Sequence, residues 1–106
     1  MNNFLHIIGA LNDESRVLIL AFLDKNGKLC VCDLQISLGM TQSRLSRHLK
    51  ILKDSGFLSV DRKGTWAYYS IEEELSTFHK QCLEAIKNLR LLLPPLKKTA
   101  CSKEMR

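Results

Sequence analysis

A chain of 106 residues, 45% of them hydrophobic, has apolar material for one core of modest size and leaves little for a second domain. Its 16 Lys and Arg against 11 Asp and Glu give a formal charge of +5, which favours a polyanionic partner without separating DNA from RNA or an anionic membrane surface. The longest apolar runs, Val17 to Leu23 and Leu91 to Leu93, fall short of the roughly 18 residues of a membrane helix, and the opening Met1-Asn2-Asn3 does not read as a secretory signal. A cytoplasmic protein is expected, with its four cysteines kept as thiols.

Phe4, Leu5, Ile8 and Leu11 sit at helical spacing and predict a short first helix whose apolar stripe wants a partner surface. After the cap residues Asn12-Asp13, the run Val17 to Leu23 is apolar almost all round, which marks a central buried helix ending at Asn26-Gly27. Two short helical patterns follow, Val31 to Leu38 and, after Gly39-Met40, a helix capped by Thr41 that runs to about Ser55 and stops at Gly56. This is a helix-turn-helix signature. Leu45, Leu49 and Leu52 recur at i, i+4 and i+7 and form the buried stripe of the second helix. Ser43, Arg47 and Lys50 then point away from the core, with Arg44 and Ser46 on the flanks.

From Phe57 the pattern changes to strands, Phe57 to Asp61 and Thr65 to Ile71, aromatic and β-branched residues on either side of a link Arg62-Lys63-Gly64. A hairpin directly after a helix-turn-helix predicts a winged helix-turn-helix fold, mainly α with a β-hairpin wing, whose basic tip suits a phosphate or a minor groove. Glu72-Glu73-Glu74 then opens a long helix, with acids placed where the dipole favours them. Leu75, Phe78, Cys82, Ala85, Leu89 and Leu92 give it a 3-4 seam. So long a seam predicts a homodimer built by this helix together with the first. Pro94-Pro95 ends the helix. Residues 1–93 are thus read as the DNA-binding and dimerisation domain, and residues 94–106 as a mobile basic tail.

The candidate DNA site comprises Gln42, Ser43, Arg44, Ser46, Arg47 and His48 on the second helix of the motif, in a major groove of double-stranded operator DNA, with Arg62 and Lys63 on the wing. Arginine can pair bidentately with guanine and glutamine with adenine. His48 lies nearer the buried boundary of the helical wheel than its neighbours. A symmetric dimer would read an inverted repeat with half-sites about 34 Å apart or a multiple of that distance.

Cys30 and Cys32 stand where a helix is about to begin, a position that lowers a thiol pKa and raises the thiolate fraction. Closely spaced thiolates select soft, thiophilic ions. Residues i and i+2 on a regular helix point about 200° apart, so the pair can grip one atom only if the first turn is distorted or one cysteine lies outside it.

The run Leu29-Cys30-Val31-Cys32-Asp33-Leu34, with Thr41-Gln42-Ser43-Arg44-Leu45-Ser46-Arg47-His48-Leu49 and Ser55-Gly56-Phe57-Leu58, resembles the ArsR/SmtB family of metal-responsive repressors, most closely its arsenic-sensing branch. The resemblance covers about residues 10 to 90. It implies dimeric repression of a metalloid-resistance operon, relieved when trivalent arsenic, as arsenite, or antimony, as antimonite, binds the cysteines. Repressors of this type often carry a third cysteine three residues after the second, and this chain has Gln35 there. The third ligand is then Cys101, Cys82, a small thiol or an organic substituent on the arsenic. Cys101 is the better protein candidate, because a mobile basic tail can reach and keep a thiolate, whereas Cys82 lies in the apolar seam.

Other readings are a redox, organoarsenical or zinc sensor on the same DNA module, with zinc or cadmium on His79 and Cys82, which are one turn apart. A metal carrier would have no use for the helix-turn-helix. A thiol enzyme lacks an accompanying general base, nucleophile elbow or phosphate loop, so a protein that is not an enzyme is expected.

Overall fold

The computed structural model describes residues 2–98. Among them the chain forms α1 (Asn2–Leu11), α2 (Glu14–Asn26), β1 (Leu29–Cys30), α3 (Val31–Leu38), α4 (Gln42–Asp54), β2 (Leu58–Lys63), β3 (Trp66–Ile71) and α5 (Thr77–Asn88). This is a winged helix-turn-helix, with α3 and α4 as the motif and β2–β3 as the wing. No helix among the described residues is long and apolar enough to cross a membrane.

Local chemistry sets the boundaries of the central elements. The Asp13 carboxylate accepts from the Ser15 and Arg16 amides at 2.8 and 3.2 Å and starts α2. Burial alone would raise its pKa, but those amides and the Arg16 guanidinium hold it below the usual carboxylate range. The turn between α3 and α4 needs a left-handed residue, which Gly39 supplies at φ 66°, its N–H bonded to the Gln35 carbonyl at 3.0 Å. Thr41 then caps α4, its hydroxyl accepting from the Arg44 amide at 3.4 Å. Ile19, Leu20 and Phe22 of α2 meet Leu34 of α3 and Leu45, Leu49 and Leu52 of α4 in a core where each is fully buried.

Four features depart from the sequence reading. A two-residue strand, β1, joins the hairpin to give a sheet of order β1-β3-β2, with Leu29 opposite Tyr69 and Cys30 opposite Tyr68. The wing strands run on through Arg62 and Lys63, so the turn falls at Gly64-Thr65 and both cations lie on the end of β2.

Helix α5 is shorter than predicted at both ends. The three glutamates are not helical: the Glu72 amide bonds to the Phe57 carbonyl at 2.9 Å, and Ser76, accepting from the His79 amide, is the cap. At the other end the helix stops before the prolines, and Arg90 turns the chain with φ 52°.

The segment after α5 is not a free tail over its described part. Leu93 and Leu96 pack against the core, and Lys97 is held to Ser37 of α3 by hydrogen bonds in both directions. Apolar side chains at 93 and 96 and a hydroxyl able both to donate and to accept account for the docking.

Candidate nucleic-acid interface and thiol site

Helix α4 divides cleanly along its length. Leu45, Leu49 and Leu52 face the core, while Gln42, Ser43, Arg44, Ser46, Arg47 and Lys50 are exposed on the opposite side. The Lys50 ammonium meets Asp54 at 2.9 Å, one turn on. Arg62 and Lys63, also exposed, extend the basic surface along the wing.

His48 departs from this set. It is buried, and its Nδ1 lies 3.2 Å from a guanidinium nitrogen of Arg16. A guanidinium only donates, so Nδ1 must accept and the ring is neutral with its proton on Nε2. Burial chiefly, with the cations of Arg16, Arg47 and Arg44 adding, lowers the His48 pKa against the opposing pull of Asp13. Arg16 also donates to the Ala10 carbonyl at 2.7 Å, so one guanidinium links the end of α1, the start of α2 and the back of α4. The sequence reading missed Arg16; its signal was a lone cation opening the apolar run Val17 to Leu23.

Cys30 and Cys32 flank the junction of sheet and helix. Cys30 ends β1, is buried, and caps α3 with an extended backbone, its sulfur accepting from the Cys32 amide at 3.3 Å. Because Cys30 stands outside the helix, the angular objection to an i, i+2 pair does not apply. Both cysteines line one groove of about 690 Å³ whose walls include Gln35 of α3, Gln42, Ser46 and Lys50 of α4, and Arg62 and Trp66 of the wing. The thiols therefore share a groove with part of the predicted DNA surface. Nothing local in the sequence showed this, since the walls come from three separate elements.

Among the described residues, no three His, Cys, Asp or Glu side chains converge as a metal site. Cys101 lies outside the described residues. Cys82 is half-buried on α5, and burial pushes its thiol pKa up, so the proton is retained. His79 makes no pair with it: Nδ1 contacts the Ser76 hydroxyl at 2.6 Å and Nε2 the Ser55 carbonyl at 2.8 Å, so both ring nitrogens are engaged. Gly56, at φ 91°, sits against that ring, and a Cβ there would come within 2.9 Å of Nε2.

Helix α5 buries His79, Leu83 and Ile86 and turns the predicted seam outward. Phe78 and Cys82 are half-buried, Ala85 and Leu89 exposed, and Leu92 lies beyond the helix. Phe78 stacks on Phe4 of α1 with centroids 5.2 Å apart, and Phe4, Leu5 and Ile8 of α1 and Leu89, just past α5, are large apolar side chains left exposed.

The family model of bacterial regulatory proteins of the arsR family matches residues 13–60. The arsenical resistance operon repressor of Bacillus subtilis is 48% identical over 65 residues, which cover 61% of this chain and 62% of that protein. This chain therefore spans a little under two thirds of that relative's length. An arsenic resistance transcriptional regulator of Pseudomonas putida is 35% identical over 78 residues, 74% of this chain and 68% of its own length. Among solved structures, an antimony-specific transcriptional repressor superposes with a TM-score of 0.68 at 27% identity, covering 84% of this chain and 78% of the other.

Proposed function

The chain belongs to the arsR family of bacterial regulatory proteins, and from that premise we propose that it is a dimeric repressor that releases operator DNA when trivalent arsenic or antimony binds Cys30 and Cys32. The names of the Bacillus and Pseudomonas relatives support a metalloid inducer, and the antimony-specific repressor supports a thiol-seeking ion of the same chemistry. One observation carries the proposal: the two cysteines line the same groove as Gln42 and Ser46 of α4 and Arg62 of the wing.

In this reading Gln42, Ser43, Arg44, Ser46 and Arg47 meet base edges and phosphates, and Arg62 and Lys63 hold the backbone alongside. His48 is withdrawn from the contact set and steadies α4 from behind through Arg16. The exposed apolar faces of α1 and α5 pair two copies, which sets two copies of α4 about one helical turn of DNA apart.

Cys30 and Cys32 would hold the ion as thiolates, and the bound ion supplies bonds that demand both sulfurs at one point. Cys30 belongs to the strand paired with β3 of the wing, and Cys32 to the helix that leads into α4. Drawing the two sulfurs together strains the first turn of α3 and shifts Gln42 to Arg47 relative to the wing. Coupling of about 1–3 kcal/mol, usual for linked sites, is a 5- to 150-fold loss of DNA affinity.

The test is fluorescence anisotropy of the reduced protein on DNA from upstream of its own gene, titrated with arsenite, antimonite and hydrogen peroxide. Release by the metalloids that disappears in Cys30→Ser, Cys32→Ser protein with intact DNA binding is the expected result. Release that persists in that variant, or that only peroxide produces, contradicts the proposal.

A further inference from the structure

A trivalent arsenic forms three bonds, and the groove between α3, α4 and the wing brings it two thiols, those of Cys30 and Cys32, with Gln35 close by as an amide of little affinity for it. The groove is far larger than that ion. At about 30 Å³ for each water-sized atom, an arsenic with its three donor atoms fills roughly a sixth of the 690 Å³. A cavity of this volume suits a small organic molecule.

The walls set the character of that molecule. Lys50, Lys53 and Arg62 line the groove, and no described Asp or Glu does. Lys50 is engaged by Asp54 at 2.9 Å, whereas Lys53 and Arg62 stand in no ion pair among the described residues. Gln35 and Gln42 add amides able to donate to a carboxylate, and Trp66 supplies an apolar wall. Cations gathered from α4 and the wing around one cavity favour an anion there. Operator phosphate is one such anion, yet a phosphate has no use for two thiols lining the same space.

We infer that the groove takes a low-molecular-weight thiol bearing carboxylates as a co-ligand: its sulfur completes the three bonds of the arsenic held by Cys30 and Cys32, and its carboxylates lie against Lys53 and Arg62. The inference rests on the reading of Cys30 and Cys32 as ligands. The chemistry is substitution without redox: each As–S bond that forms replaces an As–OH bond, and the thiol proton leaves with the hydroxide as water. Two waters come from the protein thiols and the third from the co-ligand. Because Arg62 is also read as a DNA contact, a bound acidic thiol competes with operator phosphate for the same cation.

The test starts from the full chain, reduced with a phosphine and carrying one equivalent of arsenite, and titrates it with mercaptosuccinate, 2-mercaptoethanol or cysteamine, which are anionic, neutral and cationic thiols. Arsenic X-ray absorption counts the sulfurs, and the near-ultraviolet As–S absorption follows each titration. Two sulfurs and one oxygen before any thiol is added, and three sulfurs after mercaptosuccinate, are expected. Mercaptosuccinate should convert the site at roughly five- to tenfold lower concentration than 2-mercaptoethanol, as two exposed ion pairs allow, with cysteamine weakest and the preference shrinking at high salt. Lys53→Gln, Arg62→Gln protein, altered at two exposed positions, should keep the two-sulfur complex and lose that preference. Parent and variant meet the same three thiols, so the thiols' intrinsic affinities for arsenic cancel in the comparison. Three sulfurs before any thiol is added, arsenic stripped from the protein by mercaptosuccinate, or an equal preference in parent and variant would overturn the co-ligand site and leave the Cys30–Cys32 reading standing. No sulfur on the arsenic of the starting complex would overturn both.

Discussion

Helices α4 and α5 are nearly equal in length, and each buries one face against the same core, yet what they leave outside differs. The outer face of α4 carries Gln42, Ser43, Arg44, Ser46 and Arg47, a surface at ease in water and complementary to a polyanion. Helix α5 instead presents half-buried Phe78 and Cys82, with Phe4 of α1 stacked on Phe78, and Leu89 just past its end is exposed, as are Leu5 and Ile8 of α1. Exposed large apolar side chains that gather into a patch are what a second protein covers. The contrast separates two kinds of surface within one small domain: α4 leaves a polar, basic face to solvent, and α1 with α5 leaves apolar side chains exposed.

The largest effect should come from the face that α4 does not show. Leu49→Ala opens a cavity at a fully buried position and should cost about 2–5 kcal/mol of folding stability, read from the urea midpoint, with DNA binding lost as a consequence. On the other face, Arg47→Ala should weaken operator binding by about 1–3 kcal/mol and leave the urea midpoint in place. If Arg47→Ala moved the midpoint as far as Leu49→Ala, the division of α4 into two faces would fail. Just past α5, Leu89→Glu should raise the dimer dissociation constant by about 2 kcal/mol, some thirtyfold, in sedimentation equilibrium, with helix content by circular dichroism unchanged.

The smallest effect is a pH dependence seated behind α4. The His48 pKa is lowered in the folded chain, so the unfolded state binds a proton first as pH falls. Stability present above the ordinary value of about 6.5 is therefore lost as pH drops through the lowered folded value, because a protonated ring would be buried and would also face Arg16. His48→Gln should flatten the urea midpoint between pH 7 and 5. An equal slope in parent and variant would move that proton to another group.

The same contrast shows how much could be read in the sequence. The boundaries of α2, α3 and α4 were legible because Asp13, Gly39 and Thr41 are local signals with local causes, and the stripe Leu45-Leu49-Leu52 belongs to one helix. Helix α5 was read too long because Leu89 and Leu92 continue the apolar spacing, while its true limits depend on the Ser76 cap and the turn at Arg90. Strand β1 is two residues long, too short for periodicity to register. Of the site, the exposed face of α4 and the position of Cys30 at a helix start were legible. The groove that joins them, the Arg16–His48 contact and the Ser37–Lys97 clamp were not, because each joins residues far apart in sequence.

Coupling of the thiol pair to the DNA surface through one groove can be read in a closed binding cycle. Arsenite affinity would be measured for the free protein and for the protein saturated with operator, beside operator affinity with and without arsenite. Linkage requires that arsenite bind the DNA complex more weakly by the same factor by which it weakens DNA, five- to 150-fold. Equal arsenite affinity for free and operator-bound protein would mean that the two sites are not coupled, however tightly the cysteines hold the ion.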